Sequence, residues 1–259
     1  MKNIFNIILT ILIINFSFYY TNLVSNYIKD KDPIMIKIKN NQDKYKINPI
    51  NATILDNTII PGLNGLEINL NSSYLKMKKI NNYQESLLVF NSIKPDISLS
   101  NNQDKLIISG NQTNNNISIL LKIDDLNILK KVLSIKSLNN INLILNTNFI
   151  KENYHTLKDL NNDIIVNQND KDINNLDIID YCYTETDLLN NCQSYNKFSI
   201  IPTFITSDYY YNTYQVINNG SILAYNVLND KNINEIKILL SGIKNLDYEV
   251  VSLNDLLKE

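Results

Sequence analysis

The hydrophobic pattern opens with residues 3–28, an uncharged run containing IFNIILTILIINFSFYYTNLV, about 21 residues and therefore long enough to cross a hydrocarbon core. No small-residue cleavage site follows Phe18, and Tyr19 and Tyr20 suit an interfacial position. Residues 1–28 are therefore expected to be a membrane anchor or a signal segment, with an uncleaved N-terminal transmembrane helix favoured and the rest of the chain placed outside the cell. A polar, charged stretch follows, with KIKNNQDKYK at its centre, and reads as a stalk. From there to residue 110 short apolar runs (ATIL, TIIPGLNGLEINL, SLLVF, LIISG) are broken by Pro and Gly, which is strand-and-turn chemistry. NSSYLKMKKINN among them reads as a short helix with a Ser or Asn cap. Residues 29–110 are thus expected to be a stalk and a small α+β lead-in.

After residue 116 the texture changes. ISILLKI, INLILNTNFI, DIIV, IIDYCYT, FSIIPTFIT, SILAYNV and YEVVSL read as strands. They are separated by the helical stretches LNILKKVLSIKSL, ENYHTLKDL, TDLLNNC, YYYNTYQVI and NINEIKILLSGIKNL. In the last of these Ile233, Ile236, Leu239, Leu240, Ile243 and Leu246 recur at steps of three and four and line one helix face. Continuous apolar strands alternating with such helices predict an α/β fold, a parallel sheet covered by helices, either open or closed into a barrel. Residues 111–259 are expected to form this domain.

Composition removes several functions. With 24 basic residues, all Lys, scattered among 26 acidic ones, no concentrated basic surface offers itself to a nucleic acid, and none is expected as a partner. No Gly-rich phosphate loop is present, which removes the common nucleotide-dependent chemistries. His155 is the one histidine and lies in the polar stretch ENYHTLKDL, so it is read as a solvated surface residue. The 47 Asn, with two Ala and no Arg, fit A+T-biased codons, and the sequons at Asn51, Asn71, Asn111 and Asn116 carry no weight. Cys182 and Cys192, ten positions apart, fit no metal or redox motif; they can pair outside a cell or remain as buried thiols.

In parallel α/β folds the working site lies at the carboxyl ends of the strands. The residues standing there are Asp124-Asp125, Asn148 with Phe149, Asn167-Gln168, Thr184-Glu185, Thr206 to Asp208 and Asn226. Adjacent carboxylates in such a place can hold a cation and act as a base. They are equally suited to capping a helix, and Asp125 immediately precedes LNILKKV. Tyr209, Tyr210, Tyr211 and Tyr214 fall on the same rim, where aromatic faces can stack on sugar rings or form the buried side of a helix.

The order ISILLKIDDL, ILNTNFIKEN, DIIVNQND, NNGSILAYNV and EIKILLSGIKNLDYEVVSLNDLL resembles the polysaccharide deacetylase (NodB homology) domain over residues 117–259. IIPGLNG and SSYLKMK resemble the extra N-terminal region of its membrane-anchored members. The resemblance implies a distorted (β/α) barrel and metal-dependent hydrolysis of N-acetyl groups on carbohydrate. It places Asp124 at the catalytic base and Asp125 at the metal-binding Asp, within Lys122-Ile123-Asp124-Asp125-Leu126. The two metal-binding His are missing, with Gln168 at the first of their positions, and the family's Arg is absent from a chain without Arg. Its catalytic His falls near Tyr225 or Asn226.

One Asp and a neutral amide are a poor zinc site, and without the metal its bound water is not acidified. The resemblance so amended implies an inactive, membrane-anchored relative at the bacterial cell surface that binds envelope glycan, with no cofactor. Two rivals stand beside it. One is an active deacetylase whose divalent metal is held by oxygen ligands from Asp124, Asp125 and Glu185. The other is an envelope interaction protein that uses the barrel as a scaffold.

Overall fold

A computed structural model describes residues 2–135, 138, 140–170, 173, 176–185, 191–205, 214 and 217–259, with side chains from Leu9 onward. Two compact units interleave along the chain: residues 1–49 with 64–93, and residues 50–63 with 94–259. The strands in chain order are β1 (Thr53–Leu55), β2 (Thr58–Ile60), β3 (Gly65–Ile68), β4 (Phe90–Ile93), β5 (Leu106–Ile107), β6 (Asn116–Lys122) and β7 (Asn142–Ile144). They continue as β8 (Ile164–Asn167), β9 (Tyr181–Tyr183), β10 (Phe198–Ile200), β11 (Thr203–Ile205), β12 (Ile222–Asn226) and β13 (Glu249–Val250). The helices described are α1 (Lys2–Lys31), α2 (Pro33–Asn40), α3 (Gln42–Tyr45), α4 (Leu70–Ile80), α5 (Leu126–Leu133), α6 (Thr147–Leu157), α7 (Asp230–Asn245) and α8 (Leu253–Leu256).

The smaller unit packs α2 and α4 against each other, with the antiparallel pair β3 and β4. Local chemistry starts both helices. Asp32 accepts from the Ile34 N–H ahead of Pro33 at the first helical position, and Asn69 accepts from the Ser72 N–H. Ile34, Ile38, Ile68 and Met77 form the core of this unit. The transmembrane helix expected at the amino terminus is not supported: α1 is one helix running on to Lys31, and among the described residues no helix is long and apolar enough to cross a membrane. Polar residues interrupt the apolar run, and two of them, Asn15 and Thr21, turn their side chains back onto the carbonyls of Ile11 and Ser17 at 2.8 Å.

The larger unit is built on a sheet in the order β1-β2-β5-β10-β9-β8-β7-β6-β12-β11, with β13 joining β6 beside this path. Every pairing is parallel except β1 with β2. The expected parallel α/β architecture is present as a curled half-barrel, open between β1 and β11 among the described residues. Its strands read as continuous apolar runs because both faces are covered. On β6 the pleat sends Ile117, Ile119 and Leu121 into the layer of α5, α6 and α7. Leu120 points the other way, to Ile144, Ile165, Tyr183, Ile200 and Ala224 on the concave face. Each fully buried aliphatic side chain of this kind contributes about 1.5–3 kcal/mol.

The amino-terminal end of the concavity is closed by α8, whose Leu253 and Leu256, with Leu257, join the concave-face cluster. Buried Asn142 donates to the Ser118 hydroxyl at 2.7 Å and accepts from the Leu253 N–H at 3.1 Å. Asp163 accepts from both the backbone and the side-chain amide of Asn254, and the Tyr181 hydroxyl donates to Asn254 at 2.6 Å. The Glu259 carboxylate accepts from the Leu99 N–H at 2.8 Å and the Gly62 N–H at 3.3 Å.

Three further expectations change. The compact units do not divide at residue 110, because β1, β2 and β5 extend the sheet through β10; such long-range pairing leaves no mark in a local composition. INLILNTNFI is not one strand: β7 stops at Ile144 and Asn146 caps α6 by accepting from the Phe149 N–H at 2.8 Å. FSIIPTFIT is split into β10 and β11, with Pro202, which has no N–H to give to a ladder, between them. Cys182 and Cys192 form a disulfide, which resolves the pair left open above. TDLLNNC and YYYNTYQVI fall largely outside the described residues.

Two outcomes test this architecture. Gly220 has φ +83°, and a Cβ there would lie 2.3 Å from the Gly110 carbonyl oxygen, so Gly220→Ala should lower the unfolding free energy by roughly 1–3 kcal/mol in denaturant titration. Burial pushes Asp180 above the ordinary carboxyl value of 3.8, and burial together with the Asp180 charge does the same to Asp163. A carboxyl raised in the folded state binds its proton more tightly there, so its stabilising contribution is full below the ordinary value and is lost as pH rises through the raised one. Asp180→Asn keeps an acceptor for the Ile164 N–H that Asp180 now receives at 2.8 Å. The substitution should narrow the gap between the urea midpoints at mildly acidic and neutral pH. An unchanged gap would contradict this reading.

Candidate functional site

The carboxyl ends of β6, β7, β8 and β9 surround a cavity of about 280 Å³. Its position follows from the pleat. Lys122 continues the concave-face series of Ser118 and Leu120, and its register neighbours are Ile144 on β7 and Asn226 on β12. Asn167 continues the concave-face series of Ile165, and Tyr183 closes that face of β9 with its ring 5.9 Å from Phe204. Ile144 and Leu145 supply the apolar part of the lining.

Polar groups converge from three loops. Asp124 follows β6, and its carboxylate accepts from the Asn146 amide at 3.1 Å. Asn146 is thereby used twice, because its oxygen also caps α6. Asp170 accepts from the Thr147 N–H at 3.2 Å and so holds the first turn of the same helix. Burial pushes the Asp170 carboxyl above its ordinary range, and the Asp124 charge adds to the push. The Thr147 N–H and the Lys122 ammonium oppose it. The cavity thus carries one ammonium, two carboxylates, two side-chain amides and a phenol over an aliphatic floor.

The residues expected to act together are not all brought there. Asp124 lines the cavity. Asp125 is turned away as the cap of α5, accepting from the N–H groups of Asn127 and Ile128 at 2.8 and 2.9 Å. Gln168 is 5% exposed, lies outside the cavity lining and leaves its side-chain oxygen without a hydrogen-bond partner. Glu185 is exposed and also outside the lining. Tyr225 faces the helices and donates to Glu235 at 2.7 Å, whereas Asn226 stands at the rim beside Lys122. His155 is exposed on α6, its ring 6.1 Å from that of Tyr154. Tyr209, Tyr210 and Tyr211 lie outside the described residues, and Tyr214 packs on the helix layer against Gly242.

Sequence reasoning missed Asn146 and Asp170. The signal for Asn146 was its place directly after the apolar INLIL, where a short amide side chain starts a helix. Asp170 sits in an irregular segment and carried no such signal. Lys122, treated only as part of the motif around Asp124, is a lining residue in its own right.

Among the described residues the cavity lining does not fit zinc, since it holds no His or Cys. Among the described residues no three His, Cys, Asp or Glu side chains come together in a way that could hold a metal, and the Lys122 ammonium shares the cavity with the nearest carboxylates. Among the described residues no Ser, Cys or His lines it, so none of them places a nucleophile beside a base there. What it can do is donate and accept hydrogen bonds toward a polar ligand.

No family model matches the chain. An uncharacterized protein of Bacillus subtilis, YlxY, is 34% identical over 95 residues; the match spans 36% of this chain and 30% of that protein. Among solved structures, the wild-type form of a pseudoenzyme of carbohydrate esterase family 4 from Bacillus anthracis is 16% identical. It has a TM-score of 0.59, covering 88% of this chain and 96% of its own. A mutant of such a pseudoenzyme with restored enzymatic activity is similar to the same degree, at 16% identity and a TM-score of 0.59 over 87% of this chain and 98% of its own. The chain therefore has the fold of a family 4 carbohydrate esterase, the polysaccharide-deacetylase fold.

Proposed function

We propose that this protein is a catalytically inactive relative of the polysaccharide deacetylases, held at the outer side of a bacterial membrane, that binds envelope glycan in the strand-end cavity. The observation that carries the reading is the lining of that cavity. It has hydrogen-bonding groups suited to sugar hydroxyls and amides in Lys122, Asp124, Asn146, Asn167 and Asp170, and, among the described residues, no ligand set for the metal that deacetylation by the family requires. Tyr183, Ile144 and Leu145 offer the apolar face on which a pyranose ring can rest. Two features support the location. The Cys182–Cys192 disulfide suits an oxidising compartment. α1 exposes large apolar side chains on all sides from Leu9 to Ile28, as a helix in contact with lipid does.

Calorimetric titration of the purified protein with chito-oligosaccharides and peptidoglycan fragments should show binding. Asp124→Ala and Asn167→Ala should each weaken it about tenfold, the loss of one or two hydrogen bonds at about 1.4 kcal/mol per decade. The same preparations should release no acetate with or without added zinc. Metal-dependent acetate release that vanishes in Asp124→Asn would replace this reading with an active enzyme.

A further inference from the structure

The net charge of the chain conceals a separation between its two units. Ten lysines and five acids belong to the smaller unit, whereas fourteen lysines and twenty-one acids belong to the larger one. In the smaller unit three of the acids are already matched: Asp30 by Lys39 at 2.9 Å, Asp32 by Lys78 at 2.7 Å and Glu85 by Lys44 at 3.0 Å. That leaves seven lysines, Lys2, Lys29, Lys31, Lys37, Lys46, Lys76 and Lys79, against two acids, Asp43 and Glu67.

Most of these lysines lie at the end of α1 or on the helices joined to it. Lys29, in the last turn of α1, donates to Asn71 and stands 5.2 Å over the Tyr74 ring, which ties α1 to α4. Tyr74 and Lys78 both bind Asp32, the cap of α2, so the three helices meet at one carboxylate. On α4 the buried residues are Ser73 and Met77, and the exposed Lys76 and Lys79 stand one helical turn apart. Lys37 is exposed on α2. A groove of about 750 Å³ between α1 and α4 is lined by Tyr20, Val24, Ile28 and Leu75 together with Lys29 and Tyr74, apolar along one part and cationic at one end.

We infer that this basic face of the smaller unit docks on the anionic phospholipid headgroups of the membrane that α1 contacts. The inference rests on the membrane association proposed above. Continuity with α1 selects a bilayer as the occupant. Ile28, 64% exposed, is followed at once by Lys29 and Lys31, so an α1 lying against lipid brings these cations, and those of α2 and α4 joined to it, to headgroup level. A basic cluster in that position adds a charge-dependent attraction to the apolar one, and the two together anchor a chain more firmly than either does alone.

The test is flotation of the full chain with vesicles of phosphatidylcholine alone or mixed with phosphatidylglycerol. Binding to the mixed vesicles should be at least tenfold tighter at low salt, and the advantage should shrink as ionic strength rises. Lys37→Gln, Lys76→Gln and Lys79→Gln together should remove most of the advantage, about fivefold per charge, and leave binding to neutral vesicles unchanged. The same change at Lys237, Lys244 and Lys258 of the larger unit should leave both unchanged. Equal, salt-insensitive binding of the unaltered chain to both vesicles would overturn the headgroup inference while sustaining membrane association by α1. Failure to float with either would overturn both. The salt series on the unaltered chain decides the matter even if the triple variant folds poorly.

Discussion

Everything in the larger unit is hung on β6 and on the rule that its two faces must both be buried. It pairs with β7 and β12 along its length and with β13 near its start, so an error in its register propagates to three partners at once. A shift by one residue would turn Ile117, Ile119 and Leu121 into the concavity and send Leu120 and Lys122 among the helices. The sequence resists that shift with Ser118, whose hydroxyl is the acceptor for buried Asn142 and has no substitute on the other face. The same parity that buries the aliphatics thus delivers Lys122 to the cavity.

The two ends of the half-barrel divide the polar chemistry between them. At the starts of the strands Asp163 and Tyr181 are closed into hydrogen bonds with Asn254 of α8, Asn142 binds the Leu253 N–H of the same helix, and all four serve cohesion. At the strand ends Lys122, Asp124, Asn146 and Asp170 keep part of their hydrogen-bonding capacity facing a cavity. Asn146 and Asp170 spend the rest on the first turn of α6, so the lining is braced by the helix that it starts.

What could be read beforehand was what depends on near neighbours. The apolar-rich ISILLKI at β6, the steps of three and four from Ile233 to Ile243 in α7 and the Asp before LNILKKV each state their role locally and are found in that role, whereas Leu246 past the end of α7 is exposed. The end of β7 was misread because Asn-Thr-Asn can continue a strand or start a helix, and the choice falls to a bond between Asn146 and a backbone N–H three residues on. Membership of β1, β2 and β5 in the sheet was illegible for a stronger reason. Their partner β10 stands about ninety residues later, and nothing near β5 specifies it. The site followed the same division: Asp124 was visible as a strand-end acid, and Asp170 was not, since only the folded loop brings it to α6.

The interleaving of the units bears on how the chain reaches its final form. β1 and β2 are made early, between two parts of the smaller unit, and must wait for β5 and then β10 before their sheet has a neighbour to extend. During synthesis a hairpin with an unsatisfied edge would therefore precede β5 by about 46 residues and β10 by well over a hundred, a high-contact-order arrangement that folds slowly and invites pairing with other chains. In sequence the smaller unit, complete by residue 93, stands on both sides of that hairpin, so its own parts must find each other across the inserted strands.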